Sequence, residues 1–174
     1  MKTALRFSLA TLVAATALVA PSAAAAPPSS TSFAIVGYEY AFTSTAGSFA
    51  GRGLGNAGGT AVWNAYVKHD PLGSNPTYVN GGSFEIATRS PSGGFDFVAG
   101  TFVYQDGTIT TLHGGANCTN QQYLVSDSLQ NVDTSTTSGG TGRFAVTLTH
   151  YRYSLFGHCV IYKARVDGTV SFVY

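Results

Sequence analysis

Residues Arg143–Leu155 read RFAVTLTHYRYSL, and this stretch decides the fold class. Its even positions are Phe144, Val146, Leu148, His150 and Arg152; its odd positions are Ala145, Thr147, Thr149, Tyr151 and Tyr153. Side chains alternate faces along a strand, and β-branched and aromatic residues suit a pleated, half-buried surface. The same alternation recurs in Ala61–His69, with Trp63, Ala65 and Val67 opposite Asn64, Tyr66 and Lys68. It recurs again in Ser83–Arg89, where Phe84 and Ile86 oppose Glu85 and Arg89. Runs of similar character at Ser32–Phe42, Phe95–Tyr104, Thr108–Leu112, Gln121–Val132, Cys159–Val166 and Thr169–Tyr174 bring the set to eight or nine strands. No segment carries apolar residues at i, i+3, i+4 and i+7. The pattern predicts an all-β chain forming a single antiparallel β-barrel of about eight strands. Closure is favoured because the terminal VSFVY run would otherwise be a hydrophobic open edge.

Turn chemistry fills the gaps. Asp106-Gly107 and Asp167-Gly168 each predict a two-residue hairpin. The glycine-rich stretch from Ala46 to Thr60 predicts a long flexible loop. Asp70–Gly82, with Pro71, Asn75-Pro76 and Asn80-Gly81-Gly82, predicts another, and Asp133–Gly142 a polar loop. Ser90–Gly94 reads as a turn, and Ala99-Gly100 as a bulge.

Composition sets the outer bounds. A chain of 174 residues fits about one domain at ~150 residues each. Charged residues are 10%, hydrophobic residues 44% and aromatics 13%, which excludes an intrinsically disordered chain. A formal charge of +1 excludes a strongly basic nucleic-acid binder. The N-terminus reads as an address: Lys2 and Arg6, an apolar run from Phe7 to Ala20, then Pro21-Ser22 and four alanines. These are the three parts of a secretory signal peptide, too short for a membrane span of ~20 residues. Residues 1–25 are therefore the expected signal, with cleavage after Ala25. Residues 26–31 form a flexible lead and 32–174 the barrel, and the product is expected to be secreted. Cys118 and Cys159, an even count in an oxidising compartment, predict one disulfide.

Two motifs carry a family resemblance. GTFVYQDGTIT (Gly100–Thr110) is followed some 30 residues later by SGGTGRF (Ser138–Phe144), which opens a strand. Together they resemble the allene oxide cyclase/dirigent β-barrel superfamily. The resemblance implies an eight-stranded antiparallel barrel with a small-molecule cavity. Known members include isomerase/cyclases, stereochemical guides of phenolic coupling and bacterial cyclisation enzymes. No catalytic carboxylate or cysteine of that family matches a position here, so the resemblance carries the scaffold and not an activity.

Candidate chemistry is sparse. Gly51-Arg52-Gly53-Leu54-Gly55 lacks the strand–helix flanks of a phosphate cradle. His69, His113, His150 and His158 lack metal-ligand spacing, and no metal or cofactor is implied. Asn117-Cys118-Thr119 matches a glycosylation pattern whose central residue is the expected disulfide cysteine. The strongest constellation is on the Arg143–Leu155 strand: if the even face points inward, His150 and Arg152 reach the cavity near one mouth. A buried Arg needs a partner, and Glu39, on a face with Phe33 and Ile35, is the best-placed acid, ahead of Glu85 and Asp96. His150, Arg152 and Glu39 are the candidates for proton transfer or for holding a carboxylate. The plainer alternative is that the strand leaves the core by residue 150 and both basic groups are solvated. Trp63, Tyr104, Leu148, His150 and Arg152 are the expected ligand-binding residues. Tyr38, Tyr40, Tyr151, Tyr153 and Tyr162 could line a pocket or simply pack.

Three functions remain open at this level. The first is binding of a small apolar or aromatic molecule in the barrel, the second an isomerase or cyclase acting on a small hydrophobic substrate. The third is a non-catalytic extracellular or envelope-associated interaction protein. None implies a nucleic-acid partner or a membrane span.

Overall fold

A computed structural model describes residues 29–56, 58–89 and 93–174. The expected signal peptide and residues 26–28 of the 26–31 lead lie outside the described residues, as do positions 90–92 of the Ser90–Gly94 turn. Nine strands run in chain order: β1 Ser30–Phe42, β2 Ala46–Gly55, β3 Thr60–His69, β4 Thr77–Arg89, β5 Phe95–Phe102, β6 Thr108–His113, β7 Gln121–Thr134, β8 Gly140–Leu155 and β9 His158–Val173. One 3₁₀ turn, Ala116–Cys118, is the single helical element among the described residues. All pairings are antiparallel. The ring β1-β2-β3-β4-β5-β7-β8-β9 closes on β1. The expected antiparallel barrel of eight strands is the observed fold, with one strand extra.

The extra strand corrects the first Asp-Gly expectation. β5 pairs with β4 from Arg89 back to Ser83, and β6 pairs with the same strand at Tyr78 and Thr77. Both are antiparallel to β4 and to β7, so β5 and β6 run in the same direction and share one place in the ring. Residues 103–107 are an outward bulge, held by Gln105 N–H to the Val79 carbonyl and Val79 N–H to the Gly107 carbonyl. A type I′ hairpin needs positive φ at both Asp and Gly; here the positive φ falls on Gln105 at 57°. Asp167-Gly168 is no turn either. It lies inside β9, with Gly168 opposite both Val146 and Ile35. A Cβ on Gly168 would collide with the Ala145 carbonyl oxygen. The glycine there permits close strand approach.

The glycine-rich stretch is likewise strand β2, and only residues 56–59 remain as its connection to β3. The reason is volume. Gly37 on β1 and Gly51 on β2 lie beneath the Trp63 indole, and a Cβ on either would stand 2.7 Å from it. Small residues on two strands make room for one large residue on the third. The expected Asp70–Gly82 loop shrinks to residues 70–76, and the Asp133–Gly142 loop to 135–139. The described end of the expected lead belongs to the barrel: Ser29 exchanges backbone hydrogen bonds with Tyr174, and Ser30 pairs with Val173. The irregularity at Ala99-Gly100 is real, but the surplus residue is on the partner strand. Between Leu129 and Val132 β7 slips register against β8, with Asn131 at φ 51°.

The middle of the barrel is full. Trp63 stacks on Phe84 at 6.0 Å, and Phe84 contacts Phe144 and Phe172 at 5.7 and 5.9 Å. Phe102 meets Phe144 edge-on at 5.3 Å. An eight-stranded barrel is just wide enough for its own side chains, and these five aromatic side chains use that width. The Trp63 Nε1–H donates to the carbonyls of Val36 and Arg52, so the indole is anchored as well as buried.

Candidate functional site

The barrel opens where the β1–β2, β3–β4, β6–β7 and β8–β9 connections gather. A cavity of about 50 Å³ lies inside this mouth. Its apolar wall includes Phe49, Val67, Ile109, Val125 and Leu148, and its polar groups are Glu39, His69, Tyr123 and His150. Strand parity places most of these. Tyr123 and Val125 alternate inward on β7, Leu148 and His150 on β8, and Val67 and His69 on β3.

Glu39 and His150 meet across the cup. His150 Nε2 lies 2.7 Å from Glu39 Oε2, with the two side chains 9% and 5% exposed. With Glu39 ionised the carboxylate can only accept, and the proton of this bond is then on Nε2. Gly47 is the space that admits the acid: a Cβ there would stand 2.5 Å from Glu39 Oε1. Tyr123 packs edge-on to the His150 ring at 5.5 Å, and Phe42 lies over it at 6.0 Å. Burial pushes the Tyr123 phenol up from its ordinary value; Arg152 pulls it back down and Glu39 adds to the rise. His69 Nδ1 lies 2.6 Å from the Asp70 carbonyl oxygen, which requires its proton on Nδ1. When the ring is neutral, Nε2 is then the acceptor.

Phe42 reaches the cup through a bulge. Val36 and Tyr38, at even positions of β1, face outward. The register shifts between Glu39 and Ala41, leaving Tyr40 as the surplus residue. Parity inverts beyond it, and Phe42 pairs with Gly47 and turns into the mouth. A β-bulge re-aims side chains in this way.

The expected site residues divide. Leu148 and His150 line the cup, and Glu39 is beside them. Glu39 partners His150, however, and not Arg152 as expected. Arg152 keeps the parity of His150 on β8 but lies beyond the cup, opposite a second register shift in which Tyr162 is surplus on β9. The Arg152 guanidinium instead donates to the Gly115 carbonyl at 3.3 Å and to Gln121 Oε1 at 3.4 Å, bracing the β6–β7 connection. Trp63 belongs to the filled middle, and Tyr104 is exposed on the β5–β6 bulge. Neither lines the cup. Phe42, His69, Leu72 and Tyr123 were not foreseen. His69 and Tyr123 share inward parity with named residues and were legible; Phe42 depends on the bulge and Leu72 on a loop.

Cys118 and Cys159 are bridged, with Cα atoms 5.4 Å apart. The bridge ties the β6–β7 connection to the start of β9 at the same end as the cup. Among the described residues no three His, Cys, Asp or Glu side chains gather as a metal-binding set, and no helix is long and apolar enough to cross a membrane. Comparison with protein-family models, curated proteins and solved structures yields no match.

Proposed function

We propose that this is a secreted small-molecule-binding barrel of the allene oxide cyclase/dirigent kind, whose ligand enters the mouth and stops at the filled middle. The observation that carries the reading is the buried Glu39–His150 pair set in an otherwise apolar cup. Burying two ionisable groups is costly unless they are paired, and a sealed core would be better served by hydrocarbon. A few convergent polar groups in an apolar concavity are the usual make-up of a ligand site. The cup has room for only a few water-sized groups. Its ligand is a small apolar fragment with one hydrogen-bonding head, or a longer molecule whose tip alone enters between Phe42 and Leu72. The signal-like N-terminus and the disulfide support export.

The same pair supports a second reading, proton transfer in an isomerase or cyclase. The observation behind it is a His ring held by a carboxylate beside the Tyr123 phenol.

The test is a fragment titration of the mature protein followed by NMR, using short-chain aliphatic and aromatic alcohols and acids. Binding shifts the His150 and Tyr123 ring signals, leaves the Trp63 indole signal in place, and weakens at least tenfold in His150→Ala. Ligand-induced shifts centred on Trp63, or no binding by any fragment class, would overturn the reading. Turnover lost in His150→Gln with binding retained would select the enzyme reading.

A further inference from the structure

The outside of the barrel is two-sided in charge. On β8, β9, β1, β2 and β3 the exposed lysines and arginines among the described residues are Arg143, Lys163, Arg165, Arg52 and Lys68, and the one acid at the surface beside them, Asp167, is taken up by Arg165 at 2.6 Å. On β4, β5, the β5–β6 bulge and β7 the exposed acids are Glu85, Asp96, Asp106 and Asp133, against Arg89. The near-zero net charge of the chain hides this division.

The basic side also carries tyrosines. Tyr38 and Tyr40 stand exposed on β1 with rings 6.4 Å apart. Tyr162, surplus at the β9 bulge, contacts Tyr153 at 5.5 Å and Tyr151 at 6.3 Å. Lys163 lies over the Tyr151 ring at 5.4 Å and has no salt bridge among the described residues. A shallow groove between β1 and β9 joins the two groups, with Tyr38, Lys163 and Arg165 on its walls. Rings held at the surface by a rigid sheet cost little side-chain entropy when covered. A tyrosine offers an apolar face and a polar tip together. Cations already stacked on rings add charge to the same face.

We propose that this β1–β9–β8 face binds an acidic polysaccharide of the polyuronate type. A pyranose presents an apolar C–H face to a tyrosine ring, its hydroxyls reach the phenol tips, and its carboxylates meet Lys163. A neutral glycan would leave Lys163 unpaired, and a flat apolar protein partner would have to desolvate that cation without compensation. The convex, shallow face suits an extended chain lying along it. This site is separate from the mouth and does not depend on the reading given to it.

The experiment is affinity electrophoresis of the mature, oxidised protein in gels containing polygalacturonate, dextran or single-stranded DNA, with sedimentation of the protein alone. Polygalacturonate retards the protein, dextran does not, and the retardation falls as salt rises. Tyr162→Ala with Lys163→Gln weakens it at least tenfold at unchanged melting temperature, and Tyr162→Ala alone at least threefold. Glu85→Gln on the opposite face does not weaken it. Absence of retardation overturns the proposal. So does equal retardation by DNA, or insensitivity to Tyr162→Ala, since either would mean charge alone. Concentration-dependent self-association abolished by the double variant would assign the face to a second copy and overturn it as well.

Discussion

The middle of the barrel and its mouth are built from the same strands and solve opposite problems. In the middle, Trp63, Phe84, Phe144 and Phe172 meet at 5.7–6.0 Å, and glycines on β1 and β2 give up their side chains to fit them. At the mouth, further along the same faces, Glu39, His69, Tyr123 and His150 stand around a cavity. The middle spends its width on packing. The mouth keeps ionisable groups that packing alone does not require. Stability should therefore concentrate in one region and ligand response in the other.

The largest effect should come from the middle. Phe84→Ala removes the ring that touches Trp63, Phe144 and Phe172, and should destabilise the protein by about 3–5 kcal/mol in urea unfolding. The cup's ring signals should keep their positions under conditions where the variant stays folded. A loss under 1 kcal/mol would mean the middle is not the stabilising half.

Next is the rim. Reduction of Cys118–Cys159, or replacement of both by Ser, should cost about 2–4 kcal/mol, since the bridge closes a loop with a sequence separation of 41. Because it ties the β6–β7 connection near Arg152, the loss should be accompanied by broadening of the Gln121–Tyr123 signals, with Trp63 unaffected. Broadening at Trp63 first would erase the distinction between the regions.

How much of this contrast was legible follows from where parity held. β3 and β8 alternate without interruption through Val67 and His150, so the faces of Trp63, Leu148 and His150 could be read directly. Reading failed where a surplus residue inverted parity or where a partner lay on a loop. Tyr40 turns Phe42 inward, and Arg152, in step with His150 on β8, spends its guanidinium on the β6–β7 connection and not on the cup. Glycine was the other source of error. In β2 and at Gly168 it marks close approach within strands, whereas local chemistry gives it to loops and turns. The pairing of Glu39 with His150 depends on β1 and β8 lying on either side of β9 in the ring, and no local pattern encodes that.

A third prediction concerns an exception inside the packed wall. Asp127 faces inward on β7 opposite Phe144, and neither carboxylate oxygen has a good hydrogen-bond partner among the described residues. Burial pushes its pKa up to about 7, the Ser128 backbone N–H acting against this and Asp106 adding to it. The unfolded value lies near ~3.9, so the folded state holds its proton more tightly. Its contribution is intact below about pH 4 and is lost as pH rises through about 7. Asp127→Asn should flatten this part of the stability profile. At pH 8 it should stabilise by roughly 1–2 kcal/mol, less than the full linkage value because the group lies near the barrel wall. A wild-type profile that rises between pH 5 and 8 at the same slope in both proteins would remove Asp127 from the account.

The smallest stability effect should come from the mouth, and it tests the comparison most directly. Glu39→Gln keeps the shape of the side chain and an acceptor for His150 Nε2–H, but removes the charge. A neutral acceptor in place of a charged one should cost about 1 kcal/mol. The amide can also turn its NH₂ toward Nε2, and the ring would then have to move its proton to Nδ1. His150 ring nitrogen shifts would record that change of tautomer directly. Urea unfolding and ring nitrogen spectra on the same sample therefore separate two outcomes. A small loss with altered His150 shifts means that Glu39 sets the state of the ring and contributes little to holding the barrel closed. A loss as large as that of Phe84→Ala would make the pair part of the core, and the mouth would then be a second packed layer with no spare polar groups for a ligand.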